Sequence, residues 1–191
     1  APEPAVALRS QSGESVVAQG AVRLIDGSRL TPSSAAFANA VLMHARVQED
    51  AHPAGHVGVV VLPAAMAFAS QSGASGRALL ESIAVGYEVA LRIGRDHASV
   101  LSEQGFRTTS VYGPFGAAAA CARIDGCDAT LMRHALALAA SSAAGLREFV
   151  EAGTQDFAFQ AGFAASAGIR CAALARAGAT GAASAAQRIP A

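Results

Sequence analysis

From Ser33 onward apolar positions recur every three to four residues, the spacing of one face of an α-helix, and polar positions fill the gaps between them. The segment "SSAAFANAVLMHARV" has serine at a plausible N-cap and an apolar stripe behind it. "VVVLPAAMAFASQSG" reads as a buried helix that Pro63 starts and Gly73 stops. "SGRALLESIAVGYEVALRIGRD" is a long amphipathic helix with Ser75 before it, and "GPFGAAAACARIDG" is a short Ala-rich one. "DATLMRHALALAASSAAG" begins at an Asp cap and ends at Gly145, and "DFAFQAGFAASAGIRCAALARAG" closes at Gly178. Residues 1–32 differ. There Pro, Gly and Ser separate short β-leaning pieces, "SVVAQ" and "AVRLI", which Gly20 divides and "DGS" ends, so extended or hairpin-like backbone is expected.

Alanine and glycine dominate the helical segments, which lets helix axes approach to about 8 Å. Such helices gain little from burial one by one and need each other, and a second subunit, to make a core. The expected fold is all-α, an Ala/Gly-rich bundle of six to eight helices behind a short irregular or β-hairpin N-terminal segment. The expected boundaries are an N-terminal segment 1–32, a helical domain 33–181, and a tail or linker 182–191.

Composition narrows the function classes. The chain has 191 residues, enough for one domain with a sizeable core. With 52% hydrophobic residues, 15% charged residues and a formal net charge of +0, it lacks the basic excess of a nucleic-acid binder. No apolar run approaches the ~20 residues that cross a bilayer, and the first residues lack the order of a signal peptide. A soluble, cytoplasmic protein with no nucleic-acid or membrane partner is expected. Cys121, Cys127 and Cys171 form no CxxC pair and leave an odd count, as buried thiols in a reducing compartment would. All 14 basic residues are arginine, so lysine Schiff bases and lysine general bases are excluded.

Three polar stretches interrupt the apolar pattern. "HARVQEDAHPAGHVGVVVLP" holds three of the 5 histidines with Arg46, Glu49 and Asp50. His52 and His56 are four apart, but Pro53 and Gly55 between them make a shared helix face improbable, and no metal spacing is present; no metal is expected. "QGFRTTSVYGPFG" places Arg107, Thr108, Thr109, Ser110 and Tyr112 between helices, and "REFVEAGTQDFAFQAG" places Arg147, Glu148, Glu151 and Asp156 before the last one. The glycines of "GPFG" do not make a phosphate loop, because no strand precedes them and lysine is absent. Each stretch alone reads better as a solvated surface loop. Together they could converge at one end of a bundle.

The succession "AAFANAVLMHA", "GVVVLPAAMAFA", "SGRALLESIAVGYEVALRIG", "GFRTTSVYGPFGAAAACARIDG" and "AGFAASAGIRCAALARAGATG" resembles the MmgE/PrpD family over roughly residues 20–181. That family includes 2-methylcitrate dehydratases, cis-aconitate decarboxylases and an iminodisuccinate epimerase. Its members are longer, so the resemblance implies the helical domain only, with the family's α/β lid absent, and a homodimer formed through it. The family loop carries an acid pattern that meets Val47, Glu49 and Asp50 here, and its loop histidine falls on His56. The histidine of the family's "gfHpT" corresponds to Arg107; the lysine and histidine of its "tKxlHxG" correspond to Phe157 and Gln160. The family's catalytic set is thus only partly kept.

The resemblance implies a small carboxylate substrate, with a carbon next to a carboxylate that loses a proton, water or carbon dioxide. Such chemistry needs a base active near neutral pH and cations that brace the developing negative charge. By residue type the expected catalytic set is His56, Asp50 and Arg107. Arg46, Glu49, His52, Thr108, Thr109, Tyr112 and Gln160 are the expected substrate-binding residues, with Arg46 and Arg107 as carboxylate clamps, Asp50 or Glu49 orienting an imidazole, and Tyr112 or Thr109 donating to a leaving hydroxyl. The expected activity is a lyase or isomerase with an altered catalytic set and no cofactor. The alternative is a non-catalytic or split-subunit helical module for dimerisation or binding.

Overall fold

The computed structural model describes residues 17–182, 184 and 185, so part of "SVVAQ" lies outside the described residues. In chain order the elements are β1 (Ala21–Val22), β2 (Arg29–Leu30), α1 (Pro32–His44), α2 (Gly58–Ser72), α3 (Gly76–Gly94), α4 (Ala98–Glu103), α5 (Thr108–Ile124), α6 (Ala129–Ala140), α7 (Phe149–Ala152) and α8 (Asp156–Arg176). Among the described residues this is an all-α bundle with one small antiparallel ladder. In that ladder Ala21 pairs with Leu30 and Val22 with Arg29. Gly27, at φ 73°, makes the turn, and the Asp26 carboxylate accepts from the Ser28 amide at 3.0 Å. "DGS" therefore joins two strands rather than ending one. Asn39 of α1 ties the hairpin down, accepting from the Leu24 amide and donating to the Val22 carbonyl, each at 2.8 Å.

Several helix ends fall where their capping residues stand. Ser75 accepts from the Ala78 amide, Asp128 from the amides of Thr130 and Leu131, and Gly73 closes α2 at φ 67°. Prolines account for the differences. α1 starts at Pro32 behind Thr31, because the first position needs no N–H donor. Pro63 lies inside α2, which starts at Gly58, and Pro114 lies inside α5, which starts at Thr108 rather than after the polar stretch. An interior proline costs about 3 kcal/mol locally. Burial on every side outweighs that cost: α5 is buried continuously from Thr109 to Ala122.

α5 is the axis of the bundle, packed by α2, α3, α6 and α8. Its approach to α3 is backbone to backbone. A Cβ on Gly86 would sit 2.8 Å from the Gly116 carbonyl oxygen, and one on Gly116 would sit 2.7 Å from that of Gly86. α8 is, by length and composition, long and apolar enough to cross a membrane, yet 56% of that window is buried inside the fold. It packs mainly on α1 and α5, as a core helix does. A groove of about 560 Å³ runs over Phe37, Leu138, Phe163 and Leu174; Arg170 and Cys171 are its only titratable lining groups, so it offers no acid–base pair.

Candidate active site

α1 ends on His44, which is 0% exposed, and releases the chain into the polar loop 45–57. Two partners grip its imidazole. Nδ1 lies 2.5 Å from Glu49 Oε1, and an Arg107 guanidinium nitrogen meets Nε2. A guanidinium only donates, so Nε2 is the acceptor, and Nδ1 carries the proton that Glu49 receives. Burial, and then the neighbouring Arg107 charge, hold the His44 pKa down at about 4 against the pull of Glu49. His44 is therefore neutral at pH 7. Burial also lowers Arg107 to about 10, which leaves it charged. The three groups form a buried ion pair with a neutral imidazole inserted between the charges.

Glu49 serves a second histidine. Its Oε1 is 3.2 Å from His56 Nδ1, close enough for an ion pair but off line for a hydrogen bond. His56 Nδ1 and Glu49 Oε2 are consequently two of the three buried side-chain polar atoms without a hydrogen-bond partner among the described residues. The His56 side chain is 29% exposed, and since Nδ1 is buried the exposed edge is the other side of the ring. The backbone fixes this placement. His52 and Gly55 form an isolated bridge, and the His56 amide donates to Thr109 Oγ1 at 3.0 Å. Gly55 has φ 116°, and a Cβ there would come within 2.8 Å of the Thr109 amide nitrogen. Only glycine lets the loop sit this close on the start of α5.

The third polar stretch closes the other side. Phe106 and Leu146 form an antiparallel bridge, in which the Arg107 amide donates to the Gly145 carbonyl at 3.0 Å and the Arg147 amide to Gly105 at 2.8 Å. The Arg107 guanidinium lies near two aromatic rings, 5.0 Å from the centre of Phe149 and 5.8 Å from that of Phe157, and it also donates to the Phe157 carbonyl. A cavity of about 290 Å³ opens where the three stretches meet.

Among the residues expected from sequence, His52, His56, Arg107, Thr108 and Thr109 line this cavity, and Glu49 braces its histidines from behind. Four lie elsewhere. Arg46 is exposed outside the cavity lining. Asp50 accepts from Tyr87 Oη at 3.2 Å, and burial, followed by that carboxylate, raises the Tyr87 pKa to about 12. Tyr112 is not a proton donor at the cavity: it is 0% exposed, in a core cluster with Ala54, Leu101 and Val111, where its hydroxyl pKa is raised by burial. Gln160 lines a separate small cavity and donates to the Leu146 carbonyl at 3.1 Å.

His44, Arg147 and Phe149 also line the cavity, beyond the site residues expected from sequence. The signal for His44 was a polar residue on the buried stripe of α1, behind buried Ala40 and Val41. Val47 also lines the cavity, at φ 50°, a left-handed conformation that β-branched residues rarely adopt. Asparagine tolerates that conformation. Val47→Asn is expected to stabilise the protein by about 1 kcal/mol, through relief of this strain. Urea-unfolding midpoints at matched slope measure it, and an unchanged or lower midpoint counts against strain at this residue.

The family model described as the MmgE/PrpD N-terminal domain matches residues 1–188. This chain belongs to the MmgE/PrpD family. Cis-aconitate decarboxylase of Homo sapiens is 37% identical over 160 residues, covering 80% of this chain and 33% of that protein. The Mus musculus protein of the same name is 35% identical over 161 residues, 80% of this chain and 32% of its own length. That of Aspergillus terreus is 31% identical over 159 residues, 78% and 32% respectively. The MmgE/PrpD chain described here thus spans about a third of the length of these relatives. In this chain the Arg107 guanidinium sets the tautomer of His44.

Proposed function

We propose that this chain supplies the anion-binding and proton-transfer part of an MmgE/PrpD lyase that acts on a small polycarboxylate. Decarboxylation of cis-aconitate is the reaction to test first, since the relatives bear that name. Support comes chiefly from His56, which stands between a buried carboxylate and a cavity that two arginines line. The cavity volume, about 290 Å³, lies at the small end of ligand pockets, which begin at about 300 Å³.

His56 directs Nδ1 toward Glu49, so Nε2 is the nitrogen left for substrate. In the proton-abstracting direction Nε2 takes the proton, and the C–H electron pair moves toward the neighbouring carboxylate. Glu49 steadies the imidazolium that forms. In decarboxylation no substrate proton is removed: the C–C electron pair stays on the carbon skeleton as carbon dioxide leaves, and an imidazolium that has taken its proton from water gives it to carbon. The substrate's own carboxylates and double bond hold the transient charge, while a cavity arginine holds a carboxylate that does not react.

The test uses the whole polypeptide that carries this chain. Proton NMR in D₂O with cis-aconitate, and separately with 2-methylcitrate, is expected to show consumption of one of them or deuterium uptake at carbon. Absence of both with either acid would overturn the proposal and favour a binding module.

A further inference from the structure

We propose that Arg147, rather than Arg107, is the residue that anchors a substrate carboxylate and sets the preference for polycarboxylates over monocarboxylates. This inference rests on the reading that the cavity takes a small polycarboxylate. Arg107 is 6% exposed, and both of its terminal nitrogens are engaged, one by the Phe157 carbonyl and one by His44. Its charge is already answered through His44 by Glu49, since the buried trio sums to zero. An entering carboxylate finds little of that charge unspent.

Among the described residues that line the cavity, Arg147 is the arginine that remains. It lines the same cavity, and its side chain is solvent-accessible. No carboxylate forms an ion pair with it among the described residues. Glu148 and Glu151 line an adjoining cavity that Arg147 also borders, and neither is among the residues that line the cavity of about 290 Å³.

The backbone explains why the two arginines share a cavity. Around the Phe106–Leu146 bridge, residues 105–107 run antiparallel to 145–147, joined by the bonds Arg107 N–H to Gly145 O and Arg147 N–H to Gly105 O. Next to a bridged residue, the following side chain leaves on the opposite face. Arg107 and Arg147 flank the bridged pair, one on each strand, so both leave the face opposite Phe106 and Leu146. Those two apolar side chains, 37% and 57% exposed, take the other face. One Arg147 nitrogen is pinned by Ser102, 2.7 Å from its hydroxyl and 3.3 Å from its carbonyl. That contact holds the guanidinium plane while leaving other N–H groups to a ligand. A planar fork with spare donors is what bidentate carboxylate recognition requires.

The experiment is titration calorimetry on the whole polypeptide, with cis-aconitate (three carboxylates) and crotonate (one) as probes. R147Q is expected to weaken cis-aconitate binding about ten- to a hundred-fold, the loss of one charged hydrogen-bonded contact, with little change for crotonate. R147K, a point charge without the fork, is expected to recover part of that loss. In turnover the change is expected in KM, with kcat nearly kept, because the contact exists before and during reaction. Equal cis-aconitate affinity in wild type and R147Q, or equal weakening toward both acids, would overturn the assignment. A wild-type protein that binds neither acid would instead bring down the polycarboxylate reading on which it rests.

Discussion

His56→Ala is expected to lower turnover by about 10²–10⁴-fold, the usual cost of losing a proton-transfer group, with a melting curve close to wild type. The second half of that expectation follows from geometry. The alanine variant keeps the amide that holds the loop to Thr109 Oγ1, and it gives up no in-line side-chain hydrogen bond, because Nδ1 makes none. Removing the imidazole exposes Glu49 to the cavity but leaves its bond to His44 in place. kcat on the reactive acid, read beside a thermal scan, separates the two quantities. Turnover within a few fold of wild type would remove His56 from the mechanism; a collapse of the melting curve would make it structural.

Acid is expected to destabilise the fold between pH 6.5 and about 4 through His44. Well above pH 6.5 neither the folded nor the unfolded chain protonates this side chain appreciably. Below it the unfolded chain takes up the proton, whereas the folded chain, with a pKa of about 4, does not. Unfolding therefore binds protons in this window, and stability falls as pH falls. The depression from 6.5 to about 4 corresponds to about 3 kcal/mol once pH 4 is reached, at about 1.4 kcal/mol per unit. Glutamine is the informative replacement, because its carbonyl can accept from Arg107 and its amide can donate to Glu49 without titrating. Urea unfolding at pH 7 and pH 4.5 is expected to show a smaller acid loss in His44→Gln than in wild type. Equal losses would mean that some other group carries the acid sensitivity.

The bundle was legible because the apolar period and the caps acted locally. Ser75, Asp128 and Gly73 each end a helix through atoms within a few residues of themselves. The start of α5 was not legible for a related reason. Thr108, Thr109 and Ser110 ahead of a proline look like a turn, and only packing by four other helices makes that stretch helical. The short helices α4 and α7 carry too few turns to impose a period. Of the site, the meeting of three polar stretches was readable from their common position beside apolar helices. Which member did what was not. Arg107 reads as an exposed clamp until Phe149 and Phe157 are seen beside it, and its tie to His44 joins residues 63 positions apart. Tyr112 reads as a hydroxyl near the chemistry until its ring is found against Gly94, where an added Cβ would lie 2.7 Å from Cδ2.

The contact of α3 with α5 at Gly86 and Gly116 has a mechanical consequence. Where main chains touch, no side-chain rotamer can shift to take up added volume, so even one methyl group on either glycine would force the two rods apart. The segment that brings Arg147 and Phe149 to the cavity is held differently, by the paired amides of Arg107 and Arg147 rather than by main-chain packing.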